Sequence, residues 1–99
     1  MIIVAGTVRI DVQHREGAIA AMSAMMAETR KEEGCISYTF SPDMHDEALF
    51  HLFEEWESQA HLQAHFEAPH MAEFHAATAE LGERIADIHT YVASEKTAL

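Results

Sequence analysis

Histidines are crowded into one short stretch of this chain. Five of the eight imidazoles lie between residues 51 and 75, at His51, His61, His65, His70 and His75. Imidazole is the only side chain whose unperturbed pKa lies near neutrality, which suits it to acid–base catalysis and to metal binding. If this protein carries out chemistry, we expect the reacting groups to come from this stretch.

Metal binding is one chemistry that the spacing of these histidines allows. His61 and His65 are four residues apart, which places two side chains on one face of a helix and would suit a pair of ligands. No carboxylate signature of a zinc hydrolase surrounds them, and a single cysteine, Cys35, argues against a cysteine-based zinc site. We therefore interpret the pair as solvated histidines and predict no metal.

Acid–base catalysis is the second chemistry, and Pro69 points to it. His65, His70 and His75 are spaced around this proline, where the chain must turn, so one or two of the imidazoles can face a cavity between helix and sheet. A buried imidazole paired with Glu54 or Tyr38 would be a suitable general base. The alternative for each histidine is a capping or packing role.

Two side chains at the end of a predicted strand, residues 48–56, could complete such a site. Glu54 shares one strand face with Phe50, Leu52 and Trp56, and an inward carboxylate needs a partner, such as Arg84 or a hydroxyl group. Trp56 either seals the edge of the core, with its indole N–H on a carbonyl group, or forms an aromatic wall for a flat ligand.

The elements that must position these residues follow from the hydrophobic pattern. Strands are predicted at 2–11, 35–41, 48–56 and 84–93, and helices at 14–33, 58–66 and 69–82, with Ile36, Tyr38 and Phe40 on one face of the second strand. The order β-α-β-β-α-β predicts an α+β, ferredoxin-like fold with a four-stranded antiparallel sheet and helices on one face. We assign residues 1–94 to this domain and 95–99 to a C-terminal tail.

The opposite face of the predicted sheet has no element to cover it. It would expose apolar residues such as Phe53 and Ile3, and a patch of that kind is rarely left in water. A second subunit packing its sheet against this one would bury the patch, so we predict a symmetric homodimer. Gly6, in the middle of the first strand, indicates a bulge or the close approach of another group.

Charge and hydropathy exclude several classes of partner. The formal net charge of −11 argues against nucleic-acid binding and against anionic membranes, because both require a basic surface. No apolar run approaches the roughly 18–20 residues of a membrane span. The N-terminus lacks the basic region of a signal peptide, and we expect a cytoplasmic protein.

Three sequence motifs together resemble the antibiotic biosynthesis monooxygenase family, and within it the quinol monooxygenases. They are Gly34-Cys35-Ile36-Ser37-Tyr38, then Glu54-Glu55-Trp56-Glu57-Ser58, and finally Ala64-His65 through Pro69-His70 to Phe74. The resemblance implies a dimeric α+β barrel with a pocket between sheet and helices in each subunit. It further implies oxidation of a small aromatic quinol or polyketide-type substrate by dioxygen without metal or flavin. By this resemblance His65 and His70 are the catalytic residues, and the pocket is lined by Trp56, Tyr38, Glu54, Phe74 and His75.

Two other functions are also compatible with the sequence. A haem-binding or haem-degrading branch of the family would place its proximal ligand at His75. That branch uses an Asn on the first strand and a Trp in the second helical region, where this chain has Gly6 or Thr7 and His65, and the chain contains no Asn. The third alternative is a non-catalytic dimer that binds a small ligand.

Overall fold

Four strands and three helices make up the computed structural model, which describes residues 1–99. The strands are β1 (Ile2–Arg9), β2 (Cys35–Pro42), β3 (Leu49–Trp56) and β4 (Ile85–Val92), and the helices are α1 (Arg15–Thr29), α2 (Gln59–Phe66) and α3 (Pro69–Thr78). A short 3₁₀ turn at Val12–His14 precedes α1. The predicted order is confirmed, although α1 ends four residues earlier than predicted and α3 also ends four residues earlier. None of the helices combines the length and the apolar character that a bilayer span needs.

The sheet is antiparallel throughout, with the strand order β2-β3-β1-β4. The central strand β1 is rich in β-branched residues, which fit a pleated and half-buried surface. It pairs with β3 so that Val4 lies opposite Glu54, and with β4 so that Val4 lies opposite Thr90. The predicted α+β, ferredoxin-like fold is therefore confirmed.

The core lies between one face of the sheet and the helices. β3 alternates as predicted, with Phe50, Leu52, Glu54 and Trp56 buried on the helix side and Phe53 exposed on the other. In α1 the buried side chains are Ala18, Met22, Met25 and Thr29, whereas Ile19 is exposed.

The second strand corrects a predicted face. A bulge between Cys35 and Ser37 leaves Ile36 without a cross-strand partner, and its side chain is exposed. Only Tyr38 and Phe40 of the three predicted residues point into the core. A bulge adds one residue to one strand, so the residues before and after it alternate between the two faces out of phase. A prediction based on strict period-two alternation does not detect this shift.

Two short helices follow β3, and each begins with a recognisable signal. The Ser58 hydroxyl accepts a hydrogen bond from the His61 amide at the start of α2, a cap that typically contributes about 1 kcal/mol. Pro69 occupies the first turn of α3, where its missing N–H has no cost. The extended backbone of Ala68 turns the chain between the two helices.

Gly6 is explained by the close approach of β4. A Cβ atom at this position would collide with the carbonyl oxygen of Asp87 and with the Cα of Ile88, both backbone atoms. The pairing of β1 with β3 and β4 runs through Gly6 without interruption. Of the two sequence-based explanations, close approach is therefore the right one and a bulge is not.

We predict that Gly6→Ala lowers the free energy of unfolding by about 1–3 kcal/mol, because β4 must move away from β1. Denaturant titration followed by circular dichroism measures the loss. Gly17→Ala is the matched control, since its new methyl group meets only the flexible end of Leu81 and alanine favours the helix. Equal stability of Gly6→Ala and wild type would contradict the packing described here.

Candidate active site

A cavity of about 310 Å³ lies between the sheet and the helices. This is the lower end of the range that small-molecule pockets occupy, roughly 300–1,000 Å³. Its walls are mainly apolar, and Phe40 and Phe74 stack with ring centroids 6.0 Å apart to form one aromatic side. The polar side chains that line the cavity fall into two sets: three are buried in its interior, and several are exposed at its opening.

Glu32 does not line the cavity but holds a residue that does, His65 at its buried end. It lies in the turn that follows α1, and its Oε2 atom is 2.6 Å from Nδ1 of His65 and 2.7 Å from Nε2 of His70. A carboxylate oxygen only accepts, so both ring nitrogens donate their protons to it. One oxygen atom therefore ties the last turn of α2 and the first turn of α3 to the end of α1.

This hydrogen bond sets the tautomer of His65. With its proton on Nδ1, the neutral ring presents a lone pair at Nε2, and that nitrogen has no hydrogen-bond partner within the chain. The side chain is 1% exposed and lines the cavity. Burial lowers the pKa of His65, although its hydrogen bond to Glu32 and the charge of Glu32 oppose the shift. A buried, oriented and neutral imidazole with a free nitrogen is suited to act as a general base.

Glu54 is the second titratable group on the cavity wall. Its Oε1 accepts a hydrogen bond of 2.8 Å from the indole nitrogen of Trp56, and its other oxygen has no partner in the chain. Burial raises the pKa of Glu54 to about 7, with the charge of Glu32 adding to the shift and the Trp56 hydrogen bond opposing it. The carboxyl group can therefore gain or lose a proton near neutrality.

Tyr38 supplies a hydroxyl group beside these two residues. Its ring lies 5.6 Å from the ring of His65, and its side chain is buried and lines the cavity. Burial is the largest cause of a raised pKa for Tyr38, and the negative charges of Glu54 and Glu32 act in the same direction. The phenol therefore stays protonated, and its hydroxyl group makes no hydrogen bond to the protein, which leaves it free to donate to a ligand.

The opening of the cavity carries exposed polar residues from α3 and β4. His75 and Arg84 both line it, and the Arg84 guanidinium lies 5.4 Å from the centroid of the Phe74 ring. Arg84 donates a hydrogen bond to the Thr78 hydroxyl at 3.2 Å. The ion pair that we considered between Arg84 and Glu54 does not form.

Five of the seven residues expected at the site line the cavity, and two do not. His65, Tyr38, Glu54, Phe74 and His75 line the cavity. Trp56 and His70 do not. Trp56 is fully buried behind Glu54, with its ring 4.9 Å from that of His65, and its N–H meets a carboxylate rather than a carbonyl group. His70 instead faces the groove between α1 and α3.

Glu32 was missed by sequence reasoning, which paired the buried imidazole with Glu54 or Tyr38. A signal was present: Glu32 lies just beyond the C-terminal end of α1 and two residues before Gly34. Acidic residues are unfavourable next to the negative end of a helix dipole, so an acid at this place needs another reason. Its two histidine partners, 33 and 38 residues away in sequence, are that reason.

Glu32, His65 and His70 also form the one cluster whose ligand atoms are close enough to surround a cation. One ligand atom from each lies within 4.8 Å of the others. Both histidines already donate a proton to Glu32, and a metal would have to displace these protons. The pair suggested by sequence spacing is different, because His61 turns to the Ser58 hydroxyl, 2.7 Å from its Nδ1.

A ferredoxin-like sheet with helices on one face and a largely apolar cavity between them places the chain among small α+β domains. Within that class the chain belongs to the antibiotic biosynthesis monooxygenase family, whose sequence model matches residues 1–77.

Individual relatives support this assignment. A Synechocystis protein, sll1783, of uncharacterised function, is 34% identical over 99% of this chain and 67% of its own length. The probable quinol monooxygenase YgiN of Escherichia coli is 33% identical over 59% of this chain. That match spans 64% of YgiN, a little under two thirds. A Deinococcus radiodurans structure given the family name superposes with a TM-score of 0.91, covering 100% of this chain and 98% of that one, at 24% identity, which shows the shared fold.

We predict that Glu54 makes stability depend on pH. Its folded pKa of about 7 lies above the value of an exposed carboxyl group, so the folded protein holds a proton that the unfolded chain has lost. The contribution of Glu54 to stability is fully present below about pH 4 and falls as the pH rises towards 7. Each unit by which the pKa is raised corresponds to about 1.4 kcal/mol, so the total loss is about 3 kcal/mol.

Unfolding of wild type and Glu54→Gln by urea at a series of pH values tests this prediction. The free-energy difference between the two should shift in favour of the variant as the pH rises from 5 to 7.5. A difference that stays constant over this range would show that Glu54 titrates normally.

Proposed function

We propose that this protein is a monooxygenase that oxidises a small aromatic quinol or polyketide-type substrate with dioxygen and needs neither metal nor flavin. The observation that carries the proposal is the imidazole of His65, which lines an apolar cavity and is held by Glu32 through Nδ1, so that Nε2 is left without a partner in the chain. Membership of the family and the similarity to YgiN support the same reaction type.

Removal of a proton from the substrate is the step that this site is built to assist. Triplet dioxygen reacts slowly with closed-shell molecules, but a phenolate or quinol anion can transfer one electron to it. His65 Nε2 would accept the hydroxyl proton, and Glu32 would stabilise the imidazolium that forms. Tyr38 would donate a hydrogen bond to the anion, and the apolar walls would exclude water.

Radical recombination then completes the reaction. The superoxide formed by electron transfer adds to a ring carbon that bears hydrogen and gives a hydroperoxide after protonation. Loss of water from this group leaves a carbonyl, so that one oxygen atom enters the product and the other leaves as water. Glu54, with a pKa of about 7, would protonate the peroxide, and the proton that His65 took from the substrate would then restore the Glu54 carboxyl group, so that both residues return to their starting states.

The size of the cavity favours this substrate class over haem. About 310 Å³ suits a ligand of one or two rings, whereas a haem macrocycle exceeds a drug-sized molecule. His75, the residue considered as a haem ligand, lies exposed at the opening with its ring edge-on to Phe74. Neither the volume of the cavity nor the position of His75 favours haem as the ligand.

The proposed working form is a homodimer joined through the open face of the sheet. Phe53 and Tyr91 are 44% and 54% exposed there, and they flank Ala5 and Ile3 on the central strand. These residues form a continuous apolar patch, which a second copy of the same face would bury around a two-fold axis.

We predict that His65→Ala lowers the rate of quinol-dependent oxygen uptake by about 10²–10⁴-fold, the usual value of a positioned general base. Glu32→Gln should lower it less, because the imidazole remains but loses its orientation. An oxygen electrode with a panel of substituted hydroquinones measures both effects. Activity should persist after dialysis against a chelator.

His45→Ala is the matched control for these variants, since His45 lies exposed in the β2–β3 turn and away from the cavity. Circular dichroism establishes that each variant is folded. Equal rates in wild type, His65→Ala and His45→Ala would refute the assignment of the base. Loss of activity with the chelator, restored by a divalent cation, would refute the metal-free mechanism.

We predict that Phe53→Glu converts a dimer into a monomer, because an ionised side chain in the middle of the patch would be desolvated. Light scattering coupled to gel filtration measures the mass. Ile19→Glu places the same charge on an exposed apolar position of α1, on the opposite face, and should leave the mass unchanged. A monomeric wild type would overturn the proposed interface.

A further inference from the structure

We infer that the cavity selects a substrate that carries an anionic group, in the simplest case a carboxylate, and that Arg84 binds this group at the opening. The inference rests on the proposed function for the identity of the rest of the ligand, an aromatic quinol. It concerns recognition and not the oxidation itself.

The first observation is that Arg84 is a cation without an acidic partner in a strongly acidic protein. The chain has 17 acidic and 6 basic residues, so carboxylates greatly outnumber the groups that could pair with them. Arg9, Lys31 and Lys96 each form a salt bridge, whereas Arg84 forms none and bonds only to the Thr78 hydroxyl. A guanidinium kept free of carboxylates retains its capacity for an external anion.

The second observation is the position of Arg84. Two other arginines, Arg15 and Arg30, also lack a carboxylate partner, but they donate to backbone carbonyls of the protein and neither lines the cavity. Arg84 alone among the basic residues lines it. Its guanidinium is held over Phe74 and by Thr78, and this support limits the conformational freedom that it would lose on binding.

The third observation is how polarity is divided within the cavity. The groups proposed to act on the hydroxyl of a quinol, His65, Tyr38 and Glu54, are at most 4% exposed. Arg84 and His75 are exposed at the opening. A ring lying against the wall formed by Phe40 and Phe74 would therefore place its reacting hydroxyl inward and a substituent outward. An anionic substituent would meet a guanidinium in bidentate geometry, with His75 as a further N–H donor.

Isothermal titration calorimetry with 2,5-dihydroxybenzoate and its methyl ester tests the inference, because the two ligands share the quinol ring and differ in charge. We expect the acid to bind roughly tenfold tighter or more, as charge-assisted hydrogen bonds do, and the preference to weaken with salt. Arg84→Gln should remove the preference and leave ester binding unchanged. Arg84→Lys should keep part of it, since a point charge lacks the bidentate fork.

Arg15→Gln is the matched control. Arg15 also lies over a phenylalanine ring, 5.5 Å from the centroid of Phe50, and bonds to a backbone carbonyl, yet it is remote from the cavity wall. It should bind the acid and the ester as wild type does. An equal loss of acid preference in Arg15→Gln and Arg84→Gln would overturn the inference, because a general change of surface charge would then explain it.

Oxygen uptake measured on the same ligands separates this inference from the proposed function. Equal affinity for acid and ester, with oxidation of both, would overturn the anion site and leave the monooxygenase proposal intact. An Arg84-dependent preference for the acid without oxygen uptake would support the anion site and count against the oxidation. Failure of wild type to bind either ligand would overturn the inference.

Discussion

A single carboxylate oxygen connects the elements that enclose the site. Oε2 of Glu32 accepts hydrogen bonds from His65 and His70, and these two residues belong to different short helices. Helices of eight and ten residues have little stability by themselves, so their positions depend on packing and on contacts of this kind. The same contact fixes the tautomer of His65. Folding and site chemistry therefore depend on one group, and loss of this acid would disturb both the helix arrangement and the ring that faces the cavity.

Desolvation then differentiates the groups around the cavity. Burial lowers the pKa of His65 and raises that of Glu54, and so brings a neutral imidazole and a carboxyl group that titrates near neutrality onto one wall. Titratable groups whose surroundings change their pKa values in this way are typical of acid–base sites. Trp56 contributes from outside the cavity, since its hydrogen bond to Glu54 leaves only one carboxylate oxygen free for a ligand. A residue that sequence reasoning placed on the wall thus acts through its neighbour.

The open edge of the domain has a different character. All residues of β4 are exposed, although the backbone of this strand approaches β1 so closely that only glycine fits at position 6. The inner face of β4 forms part of the cavity, and its outer face adds Tyr91 to the apolar patch around Phe53. Pairing of two sheets would consequently support the strand that borders the opening, which couples the proposed dimer to the shape of the site. Arg84, immediately before this strand, would be positioned by the same support.

Local patterns in the sequence determined the elements, their order and the buried face of β3, because period-two alternation and helix signals such as Ser58 and Pro69 act over a few residues. The resemblance of its motifs to a known family predicted in addition that His65 and Tyr38 belong to the site, and both side chains line the cavity. Tertiary structure alone decided the rest. The bulge at Ile36 reverses a face that alternation assigns otherwise, and Glu32 meets its histidines only after the chain has folded back over more than thirty residues. Glu32, Glu54 and Arg84 could each form several ion pairs or hydrogen bonds as far as their chemistry is concerned. Which partner each of them has depends on the direction and burial of its side chain, because only the packed structure brings particular atoms within hydrogen-bonding distance.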